Sequence, residues 1–149
     1  MADRTAHVSW SGSLIEGGGT ITSVGSGAFG PLDVTWASRA EEPDGRTSPE
    51  ELLAAAHATC WVTSLGSELA RLGIPPERMH VLCTVTMDEV EGAGHRIVAS
   101  HISARAAVPD ASAESLAEAA AAADAGCPFS ALIRASATVT YEATLEEGF

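Results

Sequence analysis

Apolar and polar residues alternate along the N-terminal part of the chain, in segments of the length that strands usually have. The last of these segments places Leu32, Val34 and Trp36 on one face, as a half-buried strand does. Several glycines between residues 25 and 30 mark the turn before it. The pattern predicts an antiparallel three-stranded meander built from three segments: HVSWSGSL, GTITSV and LDVTWASR.

A long helix is predicted to follow the polar connection RAEEPDGRT. Ser48 suits its N-cap, Pro49 its first position, and Glu51 the reciprocal position of a capping box. The helix is expected to end near Leu72, because a glycine and two prolines follow. Alanine and leucine dominate its first half, and a helix that is apolar on nearly all sides is usually buried centrally.

The second half of the chain predicts a hairpin, two helices and a final strand. Ser112 or a neighbour caps the first of these helices and Gly126 ends it, while Cys127 and Pro128 suit the N-cap and first position of the second. The segments are, in order, HVLCTVTMDEV and HRIVASHISARAAV for the hairpin, SAESLAEAAAAADAG and CPFSALIRA for the helices, and ATVTYEA for the strand.

The predicted order of elements, β-β-β-α-β-β-α-α-β, indicates an α+β fold with antiparallel sheets around a central buried helix. A chain of 149 residues suits one domain with a real core, and we expect this domain to span residues 1–149. Hydrophobic residues make up 46% of the sequence and charged residues 19%, which is typical of a globular protein and not of a disordered one.

The chain carries 20 acidic and 8 basic residues, for a net charge of −12. This balance argues against a nucleic-acid partner and against a membrane partner, since both attract clustered Lys and Arg. No apolar run is long enough to span a bilayer, and the N-terminus lacks the pattern of a signal peptide. A cytoplasmic location is therefore expected, where cysteines are mostly reduced thiols. The cysteines form no C-x-x-C pair, and neither a metal nor another cofactor is predicted.

Two of the cysteines can be interpreted from their local positions. Cys83 lies on the apolar face of a predicted strand, where a free cysteine acts as a small hydrophobic residue. Cys127 opens a helix, where free N–H groups and the helix dipole stabilise a thiolate. The spacing alone is equally compatible with a Cys127 that only ends one helix and begins the next.

Cys60 lies in the middle of the apolar helix, where burial alone would raise its pKa and leave it unreactive. A reactive Cys60 would need a nearby cation, and Arg39 and Arg46 are the nearest candidates in sequence. Glu50, in the first helical turn, would then orient the arginine, since a carboxylate beside the thiol would itself oppose ionisation. The alternative is an unreactive core cysteine.

RTSPEELLAAAHATC and AGCPFSALIRA are the two segments of the sequence that contain Cys60 and Cys127. The first is similar to the active-site helix of the OsmC/Ohr family of hydroperoxide reductases, and the second is similar to the second motif of that family. The length of the chain and the order of its elements also agree, so the resemblance covers the whole sequence. It implies an OsmC-like fold and a thiol peroxidase that reduces organic hydroperoxides, and also hydrogen peroxide, in protection against oxidative stress.

The resemblance implies a role for each matching residue. Cys60 would attack the distal oxygen of an organic hydroperoxide, release an alcohol and become a sulfenic acid. Cys127 would resolve that acid into an intramolecular disulfide, and Glu50 would hold an arginine against the thiolate. A dithiol reductant of the lipoyl type is implied as the second partner.

The two branches of the family take this arginine from different places. The Ohr branch draws it from a glycine-rich N-terminal segment, and the corresponding SGSLIEGGGTITSVGSGAFG contains no arginine. The OsmC branch takes it from the end of the third strand, where WASR provides Arg39. The chain therefore resembles the OsmC-like branch, with Arg39 as the first candidate and Arg46 as the second.

His57 precedes Cys60 by three residues and lies near its helical face. It either tunes the thiol or, in the preferred interpretation, packs and forms hydrogen bonds. The aromatic residues either line a pocket for an alkyl chain or form plain core: Trp10, Trp36, Trp61 and Phe129. Two rival functions are a small-molecule binding protein of the same fold without peroxidase activity, and an interaction module with incidental thiols.

Ten positions separate Glu50 from Cys60, which is about 15 Å along a straight helix. A glutamate side chain cannot bridge that distance within its own helix. Two copies of the alanine-rich helix, packed antiparallel about a two-fold axis, would instead bring the first turn of one chain to the middle of the other. The sequence therefore predicts a homodimer with composite active sites, in which Glu50 of one chain serves Cys60 of the other.

Overall fold

The computed structural model describes residues 1–146, which form two compact units, residues 1–52 and residues from 53 onward. The order of elements agrees with the predicted α+β fold, with one additional short helix. The single domain expected over residues 1–149 stays a prediction. The elements are β1 (Ala6–Ser11), β2 (Gly18–Val24), β3 (Leu32–Val34), α1 (Trp36–Ala40), α2 (Pro49–Arg71), β4 (Arg78–Val90), β5 (Gly94–Ala107), α3 (Ala113–Gly126), α4 (Pro128–Arg134) and β6 (Thr138–Leu145).

The first unit contains the predicted meander, an antiparallel sheet in the order β1-β2-β3. Its third strand is shorter than predicted, because Thr35 ends it and caps α1. The Thr35 side chain accepts a hydrogen bond from the Ser38 N–H at 3.0 Å, and the Ser38 hydroxyl accepts one from the Thr35 N–H at 2.9 Å. The prediction that Trp36 continues the strand is therefore wrong. Arg39 lies in the last turn of α1 and not at the end of a strand.

The start of α2 follows the predicted capping pattern. The Ser48 hydroxyl accepts a hydrogen bond from the Glu51 N–H at 3.1 Å. The reciprocal bond differs from the prediction, since the Glu51 carboxylate accepts from the Thr47 hydroxyl at 3.0 Å. The helix ends at Arg71, one residue before the predicted end.

The part of α2 that belongs to the second unit has one buried face and one exposed face. One stripe, with a residue every four positions, is buried: His57, Trp61, Leu65 and Leu69. The opposite stripe has the same spacing and is exposed: Ala55, Thr59, Thr63 and Ser67. The buried stripe carries the bulky side chains and the exposed stripe carries small ones, so α2 contributes to the core of the second unit through one face.

The second unit is built on a sheet in the order β4-β5-β6. The predicted hairpin forms, with β4 antiparallel to β5. The final strand differs from the antiparallel expectation, because β6 runs parallel to β5. The two helices α3 and α4 between these strands form the crossover that a parallel pair requires.

The core of the second unit lies among α2, α3 and the sheet. Its fully or nearly buried members include Trp61, Leu65, Leu69, Ile102, Val108, Leu116, Ala119, Ala123 and Cys127. Alanines on α3 let that helix approach closely. Within residues 1–146, no single helix is long and apolar enough to cross a membrane, and α3 and α4 reach that length only as a pair bent by 65°.

Candidate active site

The second unit brings two of the predicted site residues together. Cys60, in the middle of α2, is half-buried, and Cys127, between α3 and α4, is completely buried. Cys60 packs against the core cluster that contains Cys127, and Cys127 lies near enough to shift the pKa of the Cys60 thiol. Both are free thiols. Two neighbouring thiols can form a disulfide where side-chain shifts bring their sulfur atoms together.

The second thiol, Cys127, lies at a helix start that the sequence predicts. Cys127 is the N-cap of α4, and Pro128 occupies the first helical position. The Sγ atom of Cys127 accepts a hydrogen bond from the Ser130 backbone N–H at 3.4 Å. The sulfur therefore takes the place that a serine or aspartate oxygen fills in other helix caps.

The surroundings of Cys60 oppose its ionisation. Burial raises the pKa of the Cys60 thiol above its usual value, and the neighbouring Cys127 raises it further. The Phe129 backbone N–H and the Ser64 hydroxyl act in the opposite direction, because they hydrogen-bond to the sulfur. None of these three neighbours is a cation. A reactive Cys60 would need a nearby cation, and these three neighbours do not supply one.

The first unit brings the other two predicted residues together. The Arg39 Nε–H donates to Glu50 Oε1 at 2.9 Å, across the loop between α1 and α2. The Glu50 side chain is only 11% exposed, whereas Arg39 is 38% exposed. Glu50 Oε2 is buried and has no hydrogen-bond partner within residues 1–146. Only Nε of Arg39 is used in this pair, so its terminal N–H groups can serve a second anion.

The second candidate arginine has a different environment. Arg46 pairs with the Asp44 carboxylate at 3.2 Å, and that carboxylate is 87% exposed. Such a pair between neighbouring residues on an exposed loop contributes little. The geometry thus favours Arg39 as the arginine that Glu50 orients, in the order that the sequence predicts, while its catalytic role stays a prediction.

An apolar hollow of about 140 Å³ lies beside Arg39 in the first unit. The guanidinium carbon of Arg39 is 6.0 Å from the centre of the Trp36 ring, which forms part of this hollow. Its other lining residues are Trp10, Leu14, Val34, Thr35 and Pro49. Two of the four aromatic residues suggested by the sequence therefore lie next to a charged group. The other two do not belong to this hollow, since Trp61 is core and Phe129 packs against that core.

A buried polar network surrounds His57, which is completely buried. His57 Nδ1 lies 2.7 Å from the Ser100 hydroxyl, and Nε2 lies 2.8 Å from the Ser130 hydroxyl. The Ser130 hydroxyl donates to Asp124 Oδ1 at 3.0 Å. Asp124 also accepts from Arg134 at 2.6 Å and from the indole N–H of Trp61 at 3.2 Å. The preferred interpretation of His57 from the sequence, a packing and hydrogen-bonding residue, agrees with these contacts.

The charge state of His57 follows from this burial. Burial lowers the pKa of His57 below its usual value, the Asp124 carboxylate opposes the shift, and the Arg134 guanidinium adds to it. Ser130, His57 and Asp124 are the residue types of a hydrolase triad, but the carboxylate binds the serine here and not the histidine. Because the carboxylate does not orient the histidine, this arrangement does not activate Ser130 as a nucleophile.

Sequence reasoning missed most of this network. Asp124 is the one charged residue in the run of alanines that ends α3, which is the signal that could have singled it out. Ser100 gives no such signal in the sequence. Cys83 reaches the edge of the network, with Sγ 3.3 Å from the Ser100 hydroxyl and 3.7 Å from His57 Nδ1. Burial raises the pKa of Cys83 and the Ser100 hydroxyl lowers it, which suits a structural thiol.

Among residues 1–146, no group of three or more His, Cys, Asp or Glu side chains is arranged to hold a metal ion. The thiols and the Arg39–Glu50 pair are the groups from which a function can be argued.

Comparisons with known proteins connect this arrangement to one family. The family model for the OsmC-like protein matches residues 42–142. Two curated relatives, both called peroxiredoxin OsmC, come from Escherichia coli (strain K12) and Shigella flexneri. Each is 33% identical over 139 residues, which cover 93% of this chain and 95% of the relative.

Solved structures agree with the fold. The organic hydroperoxide resistance protein OhrB of Bacillus subtilis matches with a TM-score of 0.71 at 24% identity, over 93% of this chain and 97% of that one. An OsmC-like protein of unknown function from Vibrio cholerae matches with a TM-score of 0.72 at 13% identity, over 96% and 99% of the two chains. At these identities the structures show the shared fold alone.

Proposed function

Because the chain belongs to the OsmC-like family, we propose that it reduces organic hydroperoxides to alcohols through Cys60 and Cys127. At the level of its family the chain is a cysteine-based peroxidase, an oxidoreductase. The proximity of the two thiols is the observation that carries the proposal. A peroxidase that resolves its own sulfenic acid needs a second thiol close to the first, whereas a binding protein does not.

The proposed reaction has two steps on the enzyme. The Cys60 thiolate attacks the distal oxygen of the hydroperoxide, the O–O bond breaks, and the alkoxide takes up a proton to leave as alcohol. Cys60 becomes a sulfenic acid, which the Cys127 thiol then attacks to form the disulfide and release water. An external dithiol, of the lipoyl type by family resemblance, reduces the disulfide and restores both thiols.

In the proposed dimer, Arg39 and Glu50 of one chain would supply the cation that Cys60 of the other chain needs. A guanidinium close to Cys60 would favour the thiolate and stabilise the negative charge that develops on the peroxide oxygens. Arg39 is held by Glu50 at the edge of an apolar hollow. A hydroperoxide with a hydrocarbon substituent would place its apolar part in this hollow and its peroxide group against Arg39. This arrangement supports organic hydroperoxides as substrates ahead of hydrogen peroxide.

The exposed face of α2 supports a homodimer. The Thr59 hydroxyl donates to the Ala55 carbonyl at 2.7 Å, and the Thr63 hydroxyl donates to the Cys60 carbonyl at 2.9 Å. Both hydroxyls are thus satisfied within the helix, so a second helix could cover this face without leaving them unpaired. Two copies of α2, packed antiparallel, would give composite sites in which Arg39 and Glu50 of one chain serve Cys60 of the other. We propose such a homodimer, working in the cytoplasm in defence against oxidative stress.

Mixed dimers test the composite site. Glu50→Ala and Cys60→Ser homodimers are each expected to be nearly inactive. A heterodimer of the two variants contains one site with both residues intact, so about half of the wild-type activity should return. Steady-state peroxide reduction by purified heterodimers, carrying two different affinity tags, measures this recovery. A fully active monomer, or heterodimers as inactive as their parents, would contradict the composite arrangement.

Thiol counting tests the proposed function itself. The reduced chain has three thiols, and one equivalent of cumene hydroperoxide should remove two of them rapidly while cumyl alcohol appears. The physical reason is that Cys60 and Cys127 are neighbours, whereas Cys83 lies beside Ser100. A small-molecule binding protein would instead lose thiols slowly and without a fixed ratio to peroxide. That outcome would refute the peroxidase proposal.

A further inference from the structure

Among the residues described, His57 connects three elements of the second unit. It lies on α2, and its two ring nitrogens bind Ser100 on β5 and Ser130 on α4. All three residues are completely buried. Because a buried ring nitrogen needs a hydrogen-bond partner, these two bonds tie α2 to β5 on one side and to α4 on the other.

The direction of each hydrogen bond in this network can be deduced. Asp124 pairs with Arg134, and an ionised carboxylate only accepts, so the Ser130 hydroxyl donates its single hydrogen to Asp124. Ser130 Oγ must then accept from His57 Nε2–H. A neutral imidazole carries one N–H, so Nδ1 accepts from the Ser100 hydroxyl. Every polar atom of the His57 ring is satisfied in this single neutral tautomer.

Ser130 joins this network to the second thiol. Its side chain binds His57, and its backbone N–H donates to Cys127 Sγ at 3.4 Å. His57 itself lies three positions before Cys60, on the same helix. A short path of hydrogen bonds therefore runs from the helix that carries one thiol, through His57 and Ser130, to the other thiol.

We propose that His57 is a positioning residue for disulfide closure: through Ser130 it holds the start of α4, and with it Cys127, in register with Cys60. This inference rests on the proposed function, because it concerns the step in which Cys127 attacks the Cys60 sulfenic acid. It gives His57 no role in the attack of Cys60 on the peroxide.

Disulfide closure is the step that should respond to such a residue. The two sulfur atoms must approach to about 2.05 Å with a restricted dihedral angle, and a displacement of about 1 Å in the reacting groups can slow a step by about 100-fold. The first step needs the Cys60 thiolate and access of the peroxide, and the start of α4 acts on that thiolate only through the Phe129 N–H and Cys127, which shift the pKa of Cys60 in opposite directions. Loss of the His57–Ser130 bond should therefore slow disulfide closure much more than it slows peroxide consumption.

His57→Leu removes both hydrogen bonds and keeps a side chain of similar size. With one equivalent of cumene hydroperoxide, the peroxide should be consumed within a few-fold of the wild-type rate, whereas the disulfide should form roughly 10- to 100-fold more slowly. Dimedone, which traps sulfenic acids, should then label Cys60 in the variant. His57→Gln offers an amide N–H and a carbonyl to the same two serines, so it should restore most of the closure rate.

Two further variants keep the test decisive. Ser130→Ala removes the hydroxyl that His57 binds but keeps the backbone N–H to Cys127, and it should slow closure in the same way even if His57→Leu fails to fold. The matched control is His101→Leu, the same change at a half-exposed histidine of β5 that binds Thr140. It should leave both steps unchanged. Wild-type closure rates in His57→Leu and Ser130→Ala, or equal slowing of both steps in them, would overturn the proposal.

A peroxide-independent measurement separates this inference from the proposed function. Diamide oxidises two adjacent thiols to a disulfide and is itself reduced to a hydrazine, so it tests the positioning of Cys127 without any peroxidase step. Slower closure with diamide in His57→Leu or Ser130→Ala would support the positioning role even if the wild type did not reduce cumene hydroperoxide. Unchanged closure with diamide in these variants would refute it even if the wild type were an active peroxidase.

Discussion

Cys60→Ser is expected to lower peroxide consumption by about 10⁴-fold or more, the order of effect seen when an enzyme loses its nucleophile. A serine hydroxyl stays protonated near neutral pH and does not attack the peroxide oxygen as a thiolate does. Cys127→Ser should behave differently, since it keeps the nucleophile. It is expected to consume about one equivalent of peroxide and to stop as the Cys60 sulfenic acid. Rapid-mixing measurements of peroxide loss, with dimedone labelling of the product, distinguish the two variants.

The structure makes Cys127→Ser an informative variant. Cys127 caps α4 by accepting the Ser130 N–H, and serine is among the preferred N-cap residues. The substitution should therefore preserve the helix start while removing the resolving thiol. A halted reaction could then be attributed to the missing sulfur and not to a disturbed fold.

Cys83→Ser is the matched control for both variants. Cys83 contacts Ser100 and His57, and no described hydrogen bond joins it to Cys60 or Cys127. Multiple-turnover activity of Cys83→Ser should equal that of the wild type. Rapid peroxide consumption by Cys60→Ser, or a halted reaction in Cys83→Ser, would show that the roles of the thiols are assigned wrongly.

The parts of the site that could be predicted from the sequence depend on local signals. Ser48 before Pro49, and Cys127 before Pro128, mark helix starts whose chemistry is complete within a few residues. The two thiols could be paired only through the family resemblance, because no local rule brings Cys60 to Cys127. The structure brings Cys60 close enough to Cys127 for the second thiol to shift the pKa of the first.

The parts that could not be predicted depend on tertiary contacts or on competition between local structures. In LDVTWASR the alternation favours a strand, but the reciprocal bonds between Thr35 and Ser38 begin a helix, and these bonds prevail. The partners of His57 come from β5 and α4, far away in sequence. Ser100 and Ser130 look ordinary in the sequence, since only the fold shows that both are completely buried.

Arg39→Ala is expected to slow the reaction of Cys60 with cumene hydroperoxide by about 10²- to 10³-fold at neutral pH, the range for loss of one stabilising donor. Burial and Cys127 raise the pKa of the Cys60 thiol, and in the proposed dimer Arg39 offsets both. The variant should therefore hold less thiolate at neutral pH and regain part of its rate as the pH rises. The rest of the defect should persist at high pH, because the donors to the peroxide oxygens are lost. Rates measured from pH 6 to pH 10 separate the two contributions.

The control for Arg39→Ala is Arg46→Ala. Arg46 pairs with an exposed Asp44, so its loss should leave both the rate and its pH dependence close to wild type. The rate of Arg39→Lys should lie between those of the wild type and Arg39→Ala. The lysine ammonium keeps the charge but cannot bind Glu50 and the peroxide with one planar group. The capping bonds of α1 come from Thr35 and Ser38, so the helix start should survive the loss of Arg39. A defect in Arg46→Ala combined with a normal Arg39→Ala would mean that Glu50 orients an arginine that does not serve the thiol.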